Sequence, residues 1–347
     1  MNFASDNWAG AAPAIIDAIA LEARRIGNPY GESPTDKAVG ERFNEIFERE
    51  VAVFFVGTGS AANALSLASA NRPGGVVFCH NASHILEDEC GAVEYLTGGG
   101  RLLGLAGRDG KLDPEELRGA IGRYDPAFVH AGQPMAVSIT QSTETGGIYE
   151  LEEIRAVSNV AKMRGLPLHM DGARFANGLV SLGVTPAEMT WKSGVALLSF
   201  GGTKNGCVGA EAVVIFEPGL AAQFPYIRKR AGQLFSKSRF IAAQFDAYFR
   251  DGLWLELARH SNAMAERLRD GLRASPRARE AWPTRANEVF AVVAKSDAAR
   301  LRGLGAAFYD WPTAANLRLE ADEILVRLVT SFATAAEELD RFTGELG

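Results

Sequence analysis

The chain has 347 residues, of which 47% are hydrophobic and 22% charged, a composition typical of globular proteins. Its net charge of −6 gives no electrostatic reason to expect nucleic acid or anionic lipid as a partner. No apolar run approaches the roughly 20 residues that a membrane helix needs, and the start MNFASDNWAG lacks the pattern of a secretory signal.

Short apolar runs alternate with helical stretches along the first two thirds of the chain. The amino-terminal AAPAIIDAIALEARRI predicts a helix, because Ile15, Ile19, Ala23 and Ile26 share one face. Helices are also predicted at AANALSLASA, HILEDECGAVEYL, LEEIRAVSNVAKMRG and DGARFANGLVSLG. Strands are predicted at VAVFFV (51–56), VVFCH (76–80), AFVHAG (127–132), AVSITQ (136–141), LPLHM (166–170), VALLSF (195–200) and AEAVVIF (210–216).

Near-continuous apolar runs of this kind predict strands of a parallel sheet that helices cover on both faces. Right-handed crossovers place the loops that follow such strands along one edge of the sheet. We therefore expect the chemistry of this protein at the carboxyl ends of the apolar runs.

The pattern changes after about Arg239. The segment RFIAAQFDAYFRDGLWLELARHSNAMAERLRDGL predicts one or two long helices, interrupted at Asp251 and Gly252. EVFAVV, AAFYDW and ILVRLVTSF are predicted strands of a smaller sheet, closed by the helix TAAEELDRF. The sequence therefore predicts a large α/β domain over residues 1–240 and a smaller α+β domain over residues 241–347.

The cysteines and histidines do not form recognisable metal or disulfide patterns. Cys79, Cys90 and Cys207 contain no CxxC pair, which favours buried thiols in a reducing cytoplasm. The histidines show no HExxH or helical ligand spacing, so no metal is expected.

A Gly-Thr-Gly-Ser turn follows the first predicted strand, in VGTGSAANALSL. Between a strand and a helix, such a turn offers free backbone N–H groups at the positive end of the helix dipole, which suits a phosphate. It is not a Walker loop, because GxxxxGK[ST] is absent. The alternative is a tight turn in which Ser60 only caps the helix.

Two further strand ends carry side chains that could act on a cofactor ring. In LHMDGAR, Asp171 could pair with the protonated ring nitrogen of a pyridoxal cofactor, or could cap the next helix. In NASHILEDE, His84 could stack on an aromatic ring and transfer protons, or could be a hydrogen-bonded structural residue.

A lysine, Lys204, lies among glycines in SFGGTKNGCVGAE. Glycines allow close approach of a ligand, and a desolvated, electropositive setting favours the unprotonated amine that forms a Schiff base. The alternative is a solvated turn residue. The Gly-Thr-Gly-Ser turn, His84, Asp171 and Lys204 occur in that order, each after a predicted strand. Together they indicate a cofactor site more specifically than any one of them alone.

With these residues assembled, the chain resembles the threonine aldolases, pyridoxal-phosphate enzymes of fold type I in the branch that also contains β-eliminating lyases. The resemblance implies a large α/β domain with a mainly parallel seven-stranded sheet, a smaller α+β carboxyl-terminal domain and pyridoxal 5′-phosphate as cofactor. It covers nearly the whole chain and is strongest in FASDNWAG, NPYGESPT, TGSAAN, SH at 83–84, LHMDGAR, SFGGTKNG and VRLVTSF.

The resemblance implies a cofactor-binding role for several matching residues. Lys204 would be joined covalently to the cofactor, Asp171 would pair with its ring nitrogen, and His84 would stack on its ring. The phosphate would be held by backbone amides and one hydroxyl at Gly59, Ser60 and Ala61.

Other matching residues would bind the α-carboxylate of an amino-acid substrate, namely Ser5, Arg174 and Arg327. For Arg327 the alternative is a solvent-facing position on an amphipathic strand. That position would also expose Leu325 and Val329, which share its face. A buried arginine needs an anionic partner, and a substrate carboxylate would provide one.

The resemblance further implies a homodimer or a homotetramer whose sites lie between subunits. Tyr30, in NPYGE, would approach the site from a neighbouring subunit. In the basic segment YIRKRAGQLFSK, Arg230 or Lys237 would reach the phosphate across the interface.

Glu144, in TQSTETGGIY, occupies a position where many relatives with this activity carry a histidine near the substrate's β-hydroxyl. Glu144 could accept a proton itself or hold a water that does. The difference leaves open which group is the base and whether threonine or allo-threonine is preferred.

The activity that the resemblance implies is retro-aldol cleavage of a β-hydroxy-α-amino acid to glycine and an aldehyde. One alternative keeps the cofactor but breaks another bond, by β-elimination or amino transfer. An alternative of another class is a nucleotide-binding or regulatory α/β protein in which Lys204 is a turn residue. The absence of a Walker lysine and of an acidic ribose partner argues against it.

Overall fold

The computed structural model describes residues 1–312 and 317–347. Within these ranges, no helix is long and apolar enough to cross a bilayer. The large sheet contains β1 (Ala52–Val56), β2 (Gly75–His80), β3 (Arg101–Leu105), β4 (Gln133–Thr140), β5 (Leu168–Gly172), β6 (Leu197–Gly201) and β7 (Glu211–Ile215). The small sheet contains β8 (Ala278–Glu280), β9 (Glu288–Ala294), β10 (Tyr309–Asp310) and β11 (Glu323–Val329).

The helices lie between and around these strands. They are α1 (Pro13–Glu22), α2 (Pro34–Ile46), α3 (Gly59–Ala68), α4 (His84–Glu87), α5 (Ala92–Thr97), α6 (Pro114–Gly122), α7 (Leu151–Lys162), α8 (Phe175–Leu182), α9 (Pro186–Met189), α10 (Pro218–Ala221), α11 (Phe224–Arg230), α12 (Arg239–Phe249), α13 (Leu253–Ala274), α14 (Lys295–Gly303) and α15 (Ala336–Gly344).

The seven-stranded sheet has the order β1-β7-β6-β5-β4-β2-β3. Neighbours from β6 to β3 pair in parallel, whereas β7 runs antiparallel to both β1 and β6. Every residue of β2, β5, β6 and β7 is buried, as a sheet covered on both faces requires. The predicted mainly parallel sheet is confirmed.

One predicted strand of the large sheet is wrong, and another strand was missed. AFVHAG forms consecutive turns, beginning where the Asp125 carboxylate accepts a hydrogen bond from Ala127 N, and its Phe128 and Val129 are 56% and 86% exposed. The edge strand is instead β3, whose RLLGL begins with an exposed arginine and contains a glycine. A short edge strand with one partner needs less apolar sequence than a central one.

The predicted helix HILEDECGAVEYL is divided into α4 and α5. Between them, Cys90 and Gly91 adopt positive φ angles of 52° and 73°, which end the helical path. The break leaves Glu89 with only 6% of its surface exposed, at the side of the sheet where the strands end.

The smaller sheet is antiparallel throughout, in the order β10-β11-β9-β8. The long helical segment before it is interrupted at Arg250–Gly252, where Asp251 has φ 53°, as predicted. Side chains of α12 such as Phe245 and Tyr248 pack in the same hydrophobic core as the large sheet. The division of the chain into residues 1–240 and 241–347 stays a prediction.

Candidate active site

A cavity of about 270 Å³ lies at the edge of the large sheet where its parallel strands end. Strands β1, β2, β4, β5 and β6 contribute through the loops that follow them, as the alternation of strands and helices predicted. The predicted site residues that line the cavity are Gly59, Ser60, His84, Glu144, Asp171, Arg174 and Lys204.

The turn after β1 leads directly into α3, whose first residue is Gly59. The cap of this helix is Thr58, since its Oγ1 accepts a hydrogen bond from Ala61 N at 3.1 Å, and Ser60 is not the cap. The amide of Ala61 is therefore already used. The N–H groups of Gly59 and Ser60, in the first turn of the helix, have no partner within it and are available to an anion.

Asp171 lies at the carboxyl end of β5 and is 4% exposed. Its Oδ1 accepts a hydrogen bond from Ala173 N at 2.9 Å, and its Oδ2 accepts one from Asn63 Nδ2 at 2.8 Å. The cap position of the next helix, α8, is held by Arg174, so Asp171 does not cap it. Two donors thus orient this carboxylate at the cavity wall.

His84 begins α4 and lies beside Glu89 and Asn63, two residues that the sequence interpretation did not single out. The His84 Nδ1 is 2.9 Å from Glu89 Oε1, which also accepts a hydrogen bond from Asn63 Nδ2 at 2.8 Å. The hydrogen bond with Glu89 raises the pKa of His84 above its usual value, and the nearby Asp171 carboxylate adds to the rise. Asn63 therefore bridges two carboxylates: that of Glu89, which contacts His84, and that of Asp171, which lines the cavity.

Replacing Glu89 with glutamine should lower the pKa of His84, because the neutral amide no longer stabilises the imidazolium. Titration of the His84 ring signals by NMR, assigned with a His84→Gln variant, measures this pKa. Glu87→Gln, which changes an exposed carboxylate two residues away, is the matched control and should leave the pKa unchanged. An unaltered His84 titration in Glu89→Gln would contradict the assigned contact.

Glu144 follows β4 and faces the same cavity. Its Oε1 accepts hydrogen bonds from His84 N at 2.8 Å and from Thr140 Oγ1 at 3.0 Å. Its Oε2 is buried and has no hydrogen-bond partner within the described ranges. Burial raises the pKa of Glu144 to about 7, so this carboxyl can gain or lose a proton near neutral pH.

Lys204 lies in the turn Thr203–Asn205, directly after β6, and its half-buried side chain faces the cavity. The turn is anchored by Asn205, whose Nδ2 donates hydrogen bonds to Tyr248 Oη at 2.7 Å and to Trp254 O at 2.8 Å. A Cβ on Gly201 would lie 2.9 Å from the backbone of Ala173. This glycine serves close backbone packing, which holds the lysine in a fixed position.

Arg174 and Arg327 belong to a buried group of charges. Arg174 Nε is 2.8 Å from Asp6 Oδ2, and Arg174 Nη1 is 3.3 Å from Glu288 Oε2. Burial opposes the charge of Arg174, but both carboxylates outweigh this effect and raise its pKa. Arg327 Nη1 lies 3.8 Å from Glu288 Oε1, and the side chain is 17% exposed, so it does not face solvent.

Sequence reasoning missed Asp6 and Glu288. Asp6 lies within FASDNWAG, so the motif contained the signal, whereas a glutamate before the apolar run VFAVV gave no reason to expect burial. Arg327 does not line the cavity; its guanidinium carbon is 4.4 Å from the centroid of the Trp311 ring.

The remaining predicted residues lie outside the cavity lining of this single chain. Ser5 caps a short helical turn through a hydrogen bond from Asn7 N at 3.1 Å, and Asn7 lines the cavity instead. Tyr30 is 48% exposed, and Arg230 is exposed at the end of α11. The roles of Tyr30 and Arg230 stay predictions, because each would act on the site of a neighbouring subunit.

Comparisons with known proteins identify the family and the fold of this chain. The Beta-eliminating lyase family model matches residues 2–296. The low specificity L-threonine aldolases of a Pseudomonas strain and of Pseudomonas aeruginosa are each 40% identical over 308 residues, which is 88% of this chain and 88% of each relative.

The solved structure of Leishmania major threonine aldolase superposes with a TM-score of 0.92 at 30% identity, covering 99% of this chain and 98% of that one. The predicted fold class is therefore confirmed over nearly the whole chain. The chain belongs to the beta-eliminating lyase family and is a lyase.

Proposed function

We propose that this protein is a pyridoxal-phosphate-dependent aldolase that cleaves threonine, allo-threonine and related β-hydroxy-α-amino acids to glycine and an aldehyde. The observation that carries the proposal is that Lys204 and Asp171 face one cavity that ends at the first turn of α3. The names of its Pseudomonas relatives, low specificity L-threonine aldolases, support the reaction.

The residues of the cavity fit pyridoxal 5′-phosphate. The N–H groups of Gly59 and Ser60 would bind its phosphate, and Lys204 would hold it covalently. Asp171 would pair with the ring nitrogen, while His84, whose side chain is 40% exposed, would lie against the ring. When bound, the cofactor supplies an electron sink for the carbanion left by Cα–Cβ cleavage.

Glu144 would accept the proton of the substrate's β-hydroxyl. Its Oε2 is free within the described ranges, and a pKa of about 7 gives it enough ionised form and enough basicity at neutral pH. Thr140 and the His84 amide hold Oε1, so the unpartnered Oε2 would be the oxygen that accepts the proton.

Arg174 would hold the substrate carboxylate. Three of its five N–H donors face Asp6 and Glu288, which leaves two for a substrate. A carboxylate fixed in this way would set the Cα–Cβ bond perpendicular to the cofactor ring. Ser5 and Arg327, which do not line the cavity, would also bind the substrate carboxylate.

A homodimer or homotetramer in the cytoplasm completes the proposal. Tyr30 and Arg230 would reach the site of a neighbouring subunit, since both are exposed and neither lines the cavity of its own chain. In the same basic segment, Arg228 is buried and donates a hydrogen bond to Gln233 O at 3.2 Å. Gln233 in turn accepts one from Gly57 N at 3.0 Å, beside the phosphate turn.

Product analysis tests the reaction. Purified protein with pyridoxal phosphate and L-threonine should release glycine and acetaldehyde in equal amounts. From threonine, 2-oxobutanoate and ammonia alone would instead identify β-elimination, and a tyrosine- or tryptophan-like substrate would give pyruvate and ammonia by the same reaction. Protein that stays colourless after incubation with pyridoxal phosphate would favour the nucleotide-binding alternative.

A further inference from the structure

Glu211 is a carboxylate in an otherwise apolar strand, EAVVI. It begins β7 and pairs in register with Val56, the last residue of β1. The turn Gly57–Ser60 follows Val56 directly, so Glu211 lies beside the proposed phosphate site. It is 6% exposed and lines the same cavity as Gly57, Gly59 and Ser60.

The surroundings of Glu211 do not favour its negative charge. Its Oε1 accepts a hydrogen bond from Thr203 N at 3.3 Å, a long contact. Burial raises the pKa of Glu211 to about 7; Lys204 opposes this rise and Asp171 adds to it. The other titratable groups near it are Cys207 and Tyr248, which are themselves buried.

A phosphate bound at the first turn of α3 would bring an anion next to this buried carboxyl. Two adjacent negative charges in a site shielded from water repel strongly, and one of them then takes up a proton. A protonated carboxyl carries an O–H donor, which a phosphate oxygen can accept.

We propose that Glu211 binds the cofactor phosphate as a neutral carboxylic acid, so that cofactor binding takes up one proton. This inference rests on the proposed cofactor and assigns a role to a residue outside the predicted site. No covalent bond changes: the proton comes from solvent and stays on Glu211 while the phosphate is bound.

The consequence is an affinity that falls with rising pH. Above pH 7 the free protein carries ionised Glu211, and binding must first protonate it. Relative to a Glu211→Gln variant, which keeps a donor but cannot ionise, the wild-type affinity should weaken about tenfold between pH 6 and pH 8. The phosphate's own ionisation near pH 6 affects both proteins equally and cancels in the ratio.

The experiment uses 4′-deoxypyridoxine 5′-phosphate, which has the ring and the phosphate but no aldehyde to react with Lys204. Calorimetric titrations at pH 6 and pH 8, each in two buffers of different ionisation enthalpy, measure affinity and proton uptake together. At pH 8 the wild-type protein should take up about one proton more than Glu211→Gln. Glu152→Gln is the matched control, because it removes an exposed carboxyl on α7 that does not line the cavity, and it should keep the wild-type uptake.

Equal proton uptake in the wild-type protein and in Glu211→Gln would overturn this inference while leaving the proposed aldolase intact. Failure of the analogue to bind at either pH would overturn the cofactor assignment and this inference with it. Should Glu211→Gln not fold, as judged by circular dichroism, the wild-type measurement still decides: no proton uptake at pH 8 refutes the role.

Discussion

Replacing Lys204 with alanine should lower kcat/KM for threonine cleavage by about 10³-fold or more, since the variant cannot hold the cofactor covalently or exchange it with substrate. The anchored turn and the buried Asn205 should keep the rest of the site in place. The variant should therefore fold and bind the phosphate of the cofactor. Steady-state kinetics with a coupled assay for acetaldehyde measure the loss.

The matched control is Lys37→Ala, which removes a surface amine whose side chain is 64% exposed and pairs with Glu32. It should cleave threonine at the wild-type rate. A Lys204→Ala enzyme with an undiminished rate would show that the lysine is only a turn residue, as the non-catalytic alternative holds.

The second large effect concerns the base. Glu144→Gln should reduce kcat/KM by about 10²- to 10⁴-fold, the usual loss when a general base is removed. A base acts in its ionised form, and burial raises the pKa of Glu144 to about 7, so wild-type activity should fall as pH drops below 7. The glutamine variant cannot ionise and should lack this acidic limb in its pH–rate profile.

Glu152→Gln provides the control for this substitution, because Glu152 is on the exposed side of α7 with a side chain that is 80% exposed. It should retain both the rate and the acidic limb. If Glu144→Gln also retained that limb, the base would be another group, and His84 would be the next candidate.

Much of the large domain is predictable because a sheet buried on both faces demands apolar strands. VVFCH, LPLHM and VALLSF were found in this way and form β2, β5 and β6. The same rule failed for AFVHAG, where apolar residues of a surface turn have the composition of a strand. It also failed for β3, since an edge strand with an arginine and a glycine carries little apolar signal.

The sequence predicts residues of the candidate site best where the proposed chemistry requires one residue type. Lys204 and His84 each follow a strand and Asp171 lies at the end of one, and parallel topology brings strand ends together. Residues that act through another side chain, such as Asn63 and Glu89, were missed because an amide in a helix and a glutamate in an acidic loop have many ordinary roles. The roles of Asn63 and Glu89 depend on hydrogen bonds of 2.8 to 2.9 Å, and only the folded chain brings these atoms together.

The most direct measurement is reduction of the pyridoxal-phosphate-loaded protein with borohydride, followed by proteolysis and mass spectrometry. We expect a single phosphopyridoxyl group, on the peptide that contains Lys204. The same label on any other lysine, with Lys204 unmodified, would contradict this expectation.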